Sequence, residues 1–328
     1  MSTLPALLRL GSLELQSPFL VAPMESVSDA AYRRLVWQQG AGLTWTEMIR
    51  ARGLVRNNKA TIDLIDTFEP DVLTGVQLMV TSETELVDAL RKIETLAATT
   101  HPHFQNIRAI DLNFGCPSPE VIKVGAGPAL LKRKAKMRAI LEAFSNWKKT
   151  TSLPIGAITA KIRLGINRME QDAKVYLPIV EIANDTIDAL VVHARHARQE
   201  STEPPKWEAI AEIKTKAIIP IIGNGDVVTR ADAQRLHALS GCDGFMVARG
   251  AIRSPWVFRE LRTGQAGSGA GTLEEIDAAQ QQYIEASERY GSKEKFRTWH
   301  AEGFRRMRAR ARGESMTGPT MPANEHMK

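Results

Sequence analysis

Eight short apolar runs, each followed by a longer stretch whose apolar residues recur at helical spacing, limit what this chain can fold into more than any other feature. The runs are Phe19–Ala22, Leu43–Thr46, Leu73–Leu78, Ile107–Leu112, Ile158–Arg163, Ala189–Val192, Ile219–Ile222 and Gly244–Val247. Helices are expected between and after them at Ser28–Gln39, Val55–Asp66, Ser82–Ala98, Pro128–Lys149, Gln171–Ala183, Trp207–Lys216, Thr229–Leu239 and Pro255–Leu261. Ser82 with Glu85 makes a capping box, and Ser28 or Asp29 can cap the first helix. Eight strand and helix pairs in about 250 residues is the count of a closed parallel barrel, with an open doubly wound sheet as the competing arrangement.

Polar residues at the strand ends decide between the two. Pro23 and Met24, Glu47, Gln77, Asn113, Lys161 and Arg163, His193, Asn224 and Asp226, and Arg249 stand at or just past nearly every strand exit. An open sheet gathers such groups at one switch point, whereas a closed one draws them from all exits to one mouth. The expected fold class is therefore α/β, a (β/α)8 TIM barrel with a small C-terminal helical extension.

With 328 residues, 43% of them hydrophobic, the chain can bury one large core plus an appendage. Residues 1–263 read as the barrel, and 264–271, G-Q-A-G-S-G-A-G, as a flexible linker. Residues 272–312 read as the helical extension and 313–328 as a disordered tail. In the extension an acidic stretch (Glu274, Glu275, Asp277, Glu285, Glu288) precedes a basic one running from Arg289 to Arg312, and Phe296, Trp299 and Met307 give the latter an apolar face. That charge fits a solvated helix packed on the barrel or one that touches RNA. A formal net charge of +6 and a pI near 9.3 suit a polyanionic partner without requiring one.

No stretch approaches the roughly 20 apolar residues that span a bilayer. Met1 to Pro18 carries Arg9 as its one positive side chain and no long apolar run, which reads as neither secretory signal nor transit peptide, so a cytoplasmic monomer is expected. Two cysteines far apart give no disulfide framework and no metal-ligand spacing.

The fourth run opens into D-L-N-F-G-C-P-S-P, Asp111 to Pro119, which sets a lone thiol, Cys116, where a rigid strand becomes a loop. A free cysteine is often a small buried hydrophobe; here Gly115 permits an unusual turn, Pro117 and Pro119 stiffen the exit, and the Asn113 amide can orient a planar substrate. Cys242 reads as structural. G-N-G-D-V at Gly223 to Val227 and A-R-G at Ala248 to Gly250 follow the seventh and eighth runs, where barrels commonly hold a phosphate. Lys161 alternates with Arg163 on one strand face, and a lysine there calls for a negative partner unless it snorkels to the strand end. His193 fits either a ligand contact or a ring satisfied by backbone.

These residues carry a family resemblance. V-A-P-M (Val21–Met24), G-V-Q-L (Gly75–Leu78), D-L-N-F-G-C-P (Asp111–Pro117), A-K-I-R-L-G (Ala160–Gly165), V-V-H-A-R (Val191–Arg195), G-N-G-D (Gly223–Asp226) and M-V-A-R-G-A-I-R-S-P-W (Met246–Trp256) resemble the tRNA-dihydrouridine synthases, in that family's order and across the whole barrel. The resemblance implies an FMN-dependent reductase that saturates the C5–C6 bond of uridines in tRNA, recharged by NADPH or NADH, with Cys116 as the acid that protonates C5. By motif position it assigns Ala22, Pro23, Met24, Gln77, Lys161, His193, Asn224, Gly225, Asp226, Ala248 and Arg249 to FMN, and Asn113, Arg163 and again Lys161 to the uracil. Arg50, Arg52 and Arg56, with Lys132, Arg133, Lys134 and Lys136, are candidate grips for the rest of the tRNA. Where the family has H-G-R-T this chain has His193, Ala194, Arg195 and His196, and where it has G-R-G this chain has Ala248 at the first position. Two rivals stay open: an FMN barrel acting on a free pyrimidine, and a tRNA-binding barrel without turnover.

Overall fold

A computed structural model of the chain describes residues 3–264 and 271–314. Its strands are β1 (Leu8–Leu10), β2 (Leu13–Leu15), β3 (Phe19–Val21), β4 (Thr44–Arg50), β5 (Thr74–Met79), β6 (Ile107–Phe114), β7 (Ala157–Arg163), β8 (Ala189–His193), β9 (Ile221–Asn224) and β10 (Gly244–Val247). The last eight form one sheet in the order β3, β10, β9, β8, β7, β6, β5, β4, every neighbouring pair parallel. A bridge between Leu20 and Leu43 joins its two ends, so the sheet closes into a barrel. At that joint Val21 N–H donates to Leu43 O (3.0 Å) and Gly42 N–H to Phe19 O (2.8 Å). Gly42 is required by close approach: a Cβ there would lie 2.1 Å from the carbonyl oxygen of Ser17.

Helices cover the outside of the barrel, so its strands are buried on both faces, β5 and β10 along their whole length, and most of their residues are apolar. The hairpin β1–β2 was not legible as strands. It turns at Gly11 (φ 56°) and closes the N-terminal end, where Leu8 lies under Gly244 and Leu13 under Gly156.

Three expected helices are broken in the structure. Val55–Asp66 divides into Ala51–Val55 and Lys59–Ile62, because Asn57 takes φ 56° and Asn58 caps the second piece through Thr61 N–H. Gln171–Ala183 divides at Lys174 (φ 53°) into Arg168–Asp172 and Leu177–Thr186, the latter opened by Pro178. Pro128–Lys149 is a 3-10 turn at Gly127–Leu130 followed by a helix from Lys134 to Lys148.

Among the described residues, two helices stand beyond the barrel, Leu273–Arg289 and Glu294–Ala311. Phe296 and Met307 are buried on the second, with Trp299 packed against the core, as the apolar face anticipates. The first packs on the helix Ala30–Gln38, and Ile276, Tyr283, Phe304 and Met307 join the same continuous core as the barrel. Most of the linker, 265–270, and most of the expected tail, 315–328, lie outside the described residues. Among the described residues no helix is long and apolar enough to cross a membrane.

Cys242 is fully buried at the foot of β10, its thiol pushed up to about 11 by burial. Cys242→Ala is expected to leave activity unchanged and to cost about 1 kcal/mol of stability, read from thermal melts.

Candidate active site

The strand exits surround one cleft of ≈ 1280 Å³, open mouth included. The structure brings to it every residue that motif position assigned to cofactor or uracil: Ala22, Pro23, Met24, Gln77, Asn113, Cys116, Lys161, Arg163, His193, Asn224, Gly225, Asp226, Ala248 and Arg249. Glu47 is not among them. A register shift between Trp45 and Met48 redirects the end of β4, and Glu47 accepts from Ser26 N–H and from Lys295 Nζ (3.3 Å) in the contact with the C-terminal helix. Arg50, Arg52 and Arg56 are exposed outside the cleft, and so are Lys132, Arg133 and Lys134; Lys132 pairs with Glu170 at 2.8 Å.

A hydrogen-bond chain builds the cysteine loop from the strands upward. Thr159 Oγ1 on β7 donates to Asp111 Oδ1 (2.6 Å), Gln77 Nε2 on β5 donates to Asp111 Oδ2 (2.7 Å), and Asn113 Nδ2 donates to Gln77 Oε1 (2.8 Å). Asn113 Oδ1 in turn accepts the N–H groups of Gly115 (3.1 Å) and Cys116 (2.8 Å). The Asn113 carbonyl is thus committed to the loop, and one Nδ2 hydrogen is left for a ligand. Burial raises the Asp111 carboxyl to about 6, against the hydrogen bonds from Thr159 and Gln77. Cys116 is partly buried, and desolvation raises its thiol against the N–H of Ser118, so the sulfur keeps its proton at neutral pH.

The wall beside it, from β7 onward, is cationic. Lys161 is brought down to about 8 by burial, then by Arg163, with Asp111 opposing. Arg163 is brought down to about 10 by burial and Arg195, and His193 lies well below the usual imidazole value through burial and the charges of Arg163, Lys161, Arg195 and Arg249. Asp226 answers two of these cations: its oxygens accept from Arg195 Nη1 (3.2 Å) and Nη2 (2.5 Å) and from Arg249 Nη2. The turn that presents it takes left-handed backbone at Gly225 (φ 123°) and Asp226 (φ 56°). Asn224 Nδ2 pins β9 to β10 by donating to Met246 O (2.8 Å). The short helix Arg249–Arg253 begins at Ala248 without a side-chain cap, and Ala248, Arg249 and Gly250 at its start line the cleft.

Sequence reading missed Arg195, Gln199 and Ser201, which also line the cleft. Arg195 stood in the V-V-H-A-R motif, and its place just past the exit of β8 was a usable signal. Gln199 and Ser201 sit on an irregular loop and left no such signal.

Among solved structures, the chain is similar to a histamine dehydrogenase from Rhizobium sp. 4-9, with TM-score 0.60, 14% identity, and coverage of 86% of this chain and 50% of that one. It is also similar to a morphinone reductase solved in complex with tetrahydroNAD, with TM-score 0.56, 12% identity, and coverage of 81% and 92%. At such identities the likeness shows the fold alone, and this chain spans about half the length of the dehydrogenase. Fold, site and sequence together define a TIM-barrel oxidoreductase. Within that class the chain belongs to the dihydrouridine synthase family, whose model, described as Dihydrouridine synthase (Dus), matches residues 20–315. Relatives named "Probable tRNA-dihydrouridine synthase" include one from Rickettsia conorii, 30% identical over 290 residues (87% of this chain, 82% of that protein). Another, from Mycobacterium tuberculosis strain H37Rv, is 32% identical over 274 residues (81% and 67%).

Proposed function

We propose that this protein holds FMN in the cleft and reduces the C5–C6 bond of uridines in tRNA, with NADPH or NADH as the reductant and Cys116 as proton donor. One observation carries the reading: Lys161, Arg163, His193, Arg195 and Arg249 crowd a mouth whose cations outnumber the carboxylates beside them, next to a thiol held in its neutral form. Such a site is completed by an anionic ligand.

The donor set fits FMN. The uncapped start of Arg249–Arg253 and the Arg249 guanidinium suit a phosphate, with Gly225 and Asp226 shaping the turn beside it and Asn224 pinning that turn to β10. Ala22, Pro23 and Met24 give an apolar wall, and Gln77, Lys161 and His193 offer donors to a polar ring edge. Bound there, FMN would supply the hydride that adds to C6 of the uracil. Cys116 then gives its proton to C5 and recovers it from solvent, a role that needs the protonated thiol rather than a thiolate nucleophile. Arg163 and the remaining Asn113 amide hydrogen orient the base. A flipped uridine reaches this mouth only if the rest of the tRNA is held outside, and the exposed Arg50, Arg52, Arg56, Arg133 and Lys134, with the helical residues 272–312, supply that basic surface. We read the chain as a cytoplasmic monomer.

The test is an absorbance spectrum of the purified protein, followed by NADPH and then unmodified tRNA under anaerobic conditions. Bleaching by NADPH and recovery on adding tRNA are expected. A colourless protein that FMN cannot reconstitute defeats the reading, and recovery with free uracil but not with tRNA transfers it to a free pyrimidine.

Lys161 gives the site a pH dependence of definite sign. Its amine is charged below about 8 in the free protein and an anion favours that form. Affinity for FMN should therefore be level below pH 8 and fall as pH rises above it, by up to about tenfold per pH unit. Fluorescence titrations on both sides of pH 8 measure this, and Lys161→Met should bind more weakly and lose the slope.

A further inference from the structure

We infer that Arg195 is a positioning residue that fixes the ring of His193 as its Nδ1–H tautomer, so that His193 faces the cleft as a hydrogen-bond donor. Arg195 is 2% exposed, and acceptors surround its guanidinium. Nε donates to Glu203 O (2.9 Å); Nη2 donates to Glu203 O (2.5 Å), Ser201 O (3.3 Å) and Asp226 Oδ2 (2.5 Å); Nη1 donates to Asp226 Oδ1 (3.2 Å). The remaining Nη1 hydrogen meets His193 Nε2 at 3.4 Å. A guanidinium has donors only, so Nε2 can take part only through its lone pair, and the neutral ring must carry its proton on Nδ1.

The ring's setting leads to the same assignment. A Cβ built on Gly225 would lie 3.4 Å from His193 Cδ2 and 3.7 Å from Arg195 Nη1, so the Cδ2–Nε2 edge is turned to that wall. The opposite edge, with Nδ1, is left to the cleft that His193 lines. The charged groups around the ring are Lys161 and Arg163 from β7, Arg195 on the loop after β8, Arg249 after β10, and the carboxylate of Asp226 after β9. A second proton would set N–H against N–H among four cations, in accord with the low basicity of the ring. A lysine cannot replace the fork that spans Glu203, Asp226 and His193 together. What the Nδ1–H then meets rests on the flavin reading: a carbonyl oxygen or lone-pair nitrogen of the ring system.

Long-range proton–nitrogen correlation of the imidazoles in nitrogen-15-labelled protein, without ligand, tests the tautomer, with His193→Asn assigning its signals among the seven histidines. The wild type should show Nε2 as a lone-pair nitrogen and Nδ1 protonated, and Arg195→Met should mix the two forms. A wild-type proton on Nε2 overturns the inference without recourse to any variant, as does an unchanged tautomer in folded Arg195→Met. FMN should bind His193→Asn about tenfold more weakly than wild type. Equal affinity would overturn the donor role toward the ligand. Failure of FMN to bind the wild type counts against the flavin reading and leaves the tautomer to be decided by the spectrum.

Discussion

Cys116→Ala should retain FMN, be bleached normally by NADPH, and form dihydrouridine at least about a hundredfold more slowly than wild type, the usual loss on removing a positioned acid. The separation of the two half-reactions is the informative part. Cys116 stands on the β6 exit with its N–H held by Asn113 Oδ1, whereas the turns proposed to hold the phosphate lie after β9 and β10, across the cleft. Deleting the sulfur therefore leaves the cofactor wall intact. Anaerobic stopped-flow bleaching, followed by quantification of dihydrouridine in the recovered tRNA, separates the steps. Normal product formation by the variant removes Cys116 from the mechanism. Cys116→Ser, with a far more weakly acidic hydroxyl, should lie close to the alanine variant.

Asp29→Ala is expected to cost about 3 kcal/mol, and to loosen the C-terminal helices first. Asp29 is buried, and burial holds its carboxyl above the ordinary range. One oxygen caps the helix Ala30–Gln38 through Tyr32 N–H (3.0 Å), a contact worth about 1 kcal/mol. The other accepts from Tyr283 Oη (3.2 Å) and Ser292 Oγ (2.6 Å), reaching from the barrel to the helix Leu273–Arg289 and to the turn that follows it. Removing the carboxylate leaves the buried Tyr283 hydroxyl unpaired at about 1–3 kcal/mol and the partly buried Ser292 hydroxyl at about 1 kcal/mol, offset in part by relief of a buried charge. Hydrogen exchange should show Leu273–Ala311 losing protection before β5 and β6. Asn in place of Asp keeps one acceptor and should lose much less. Uniform loss of protection along the whole chain would show instead that the extension and barrel unfold together.

The barrel was legible because parallel strands buried on both faces are mostly apolar, and because polar side chains, apart from a hydrogen-bonded set such as Thr159, Asp111 and Gln77, collect at the ends. Lys161, His193 and Arg249 were found that way. Glu47 obeyed the same rule and misled: a bulge in β4 turned it toward Lys295, and period-two reasoning does not foresee a bulge. Arg195 was passed over because a guanidinium at a strand exit reads as solvated until its five hydrogen-bonding directions are traced to Glu203, Asp226 and His193. The interrupted helices had visible signals in Asn57, Asn58 and Pro178, which apolar spacing alone outweighed. The basic stretch from Arg289 to Arg312 proved largely spoken for: Arg289 pairs with Glu69, Lys293 with Asp63, Lys295 with Glu47, Arg297 with Glu294, Arg305 and Arg306 with Glu302, and Arg308 with Asp277, so charge along a helix overstated the surface left for a polyanion.

The bridge between Leu20 and Leu43 makes the barrel a hoop with a clasp. Seven of its joints are full ladders, and the eighth relies on a few residues at Gly42 and Val21. The helix Ala30–Gln38, which links the two strands of that clasp, packs on β4, and Leu273–Arg289 packs on that helix as a strap. Lys295 reaches Glu47, which holds Ser26, fastening the strand ends on either side of the gap. The same segment that presents cations to solvent is therefore a fastener for the ring. Pulling it away would release the clasp before any other joint, and the amides of Val21 and Gly42 would be the first in the sheet to trade their protons with water.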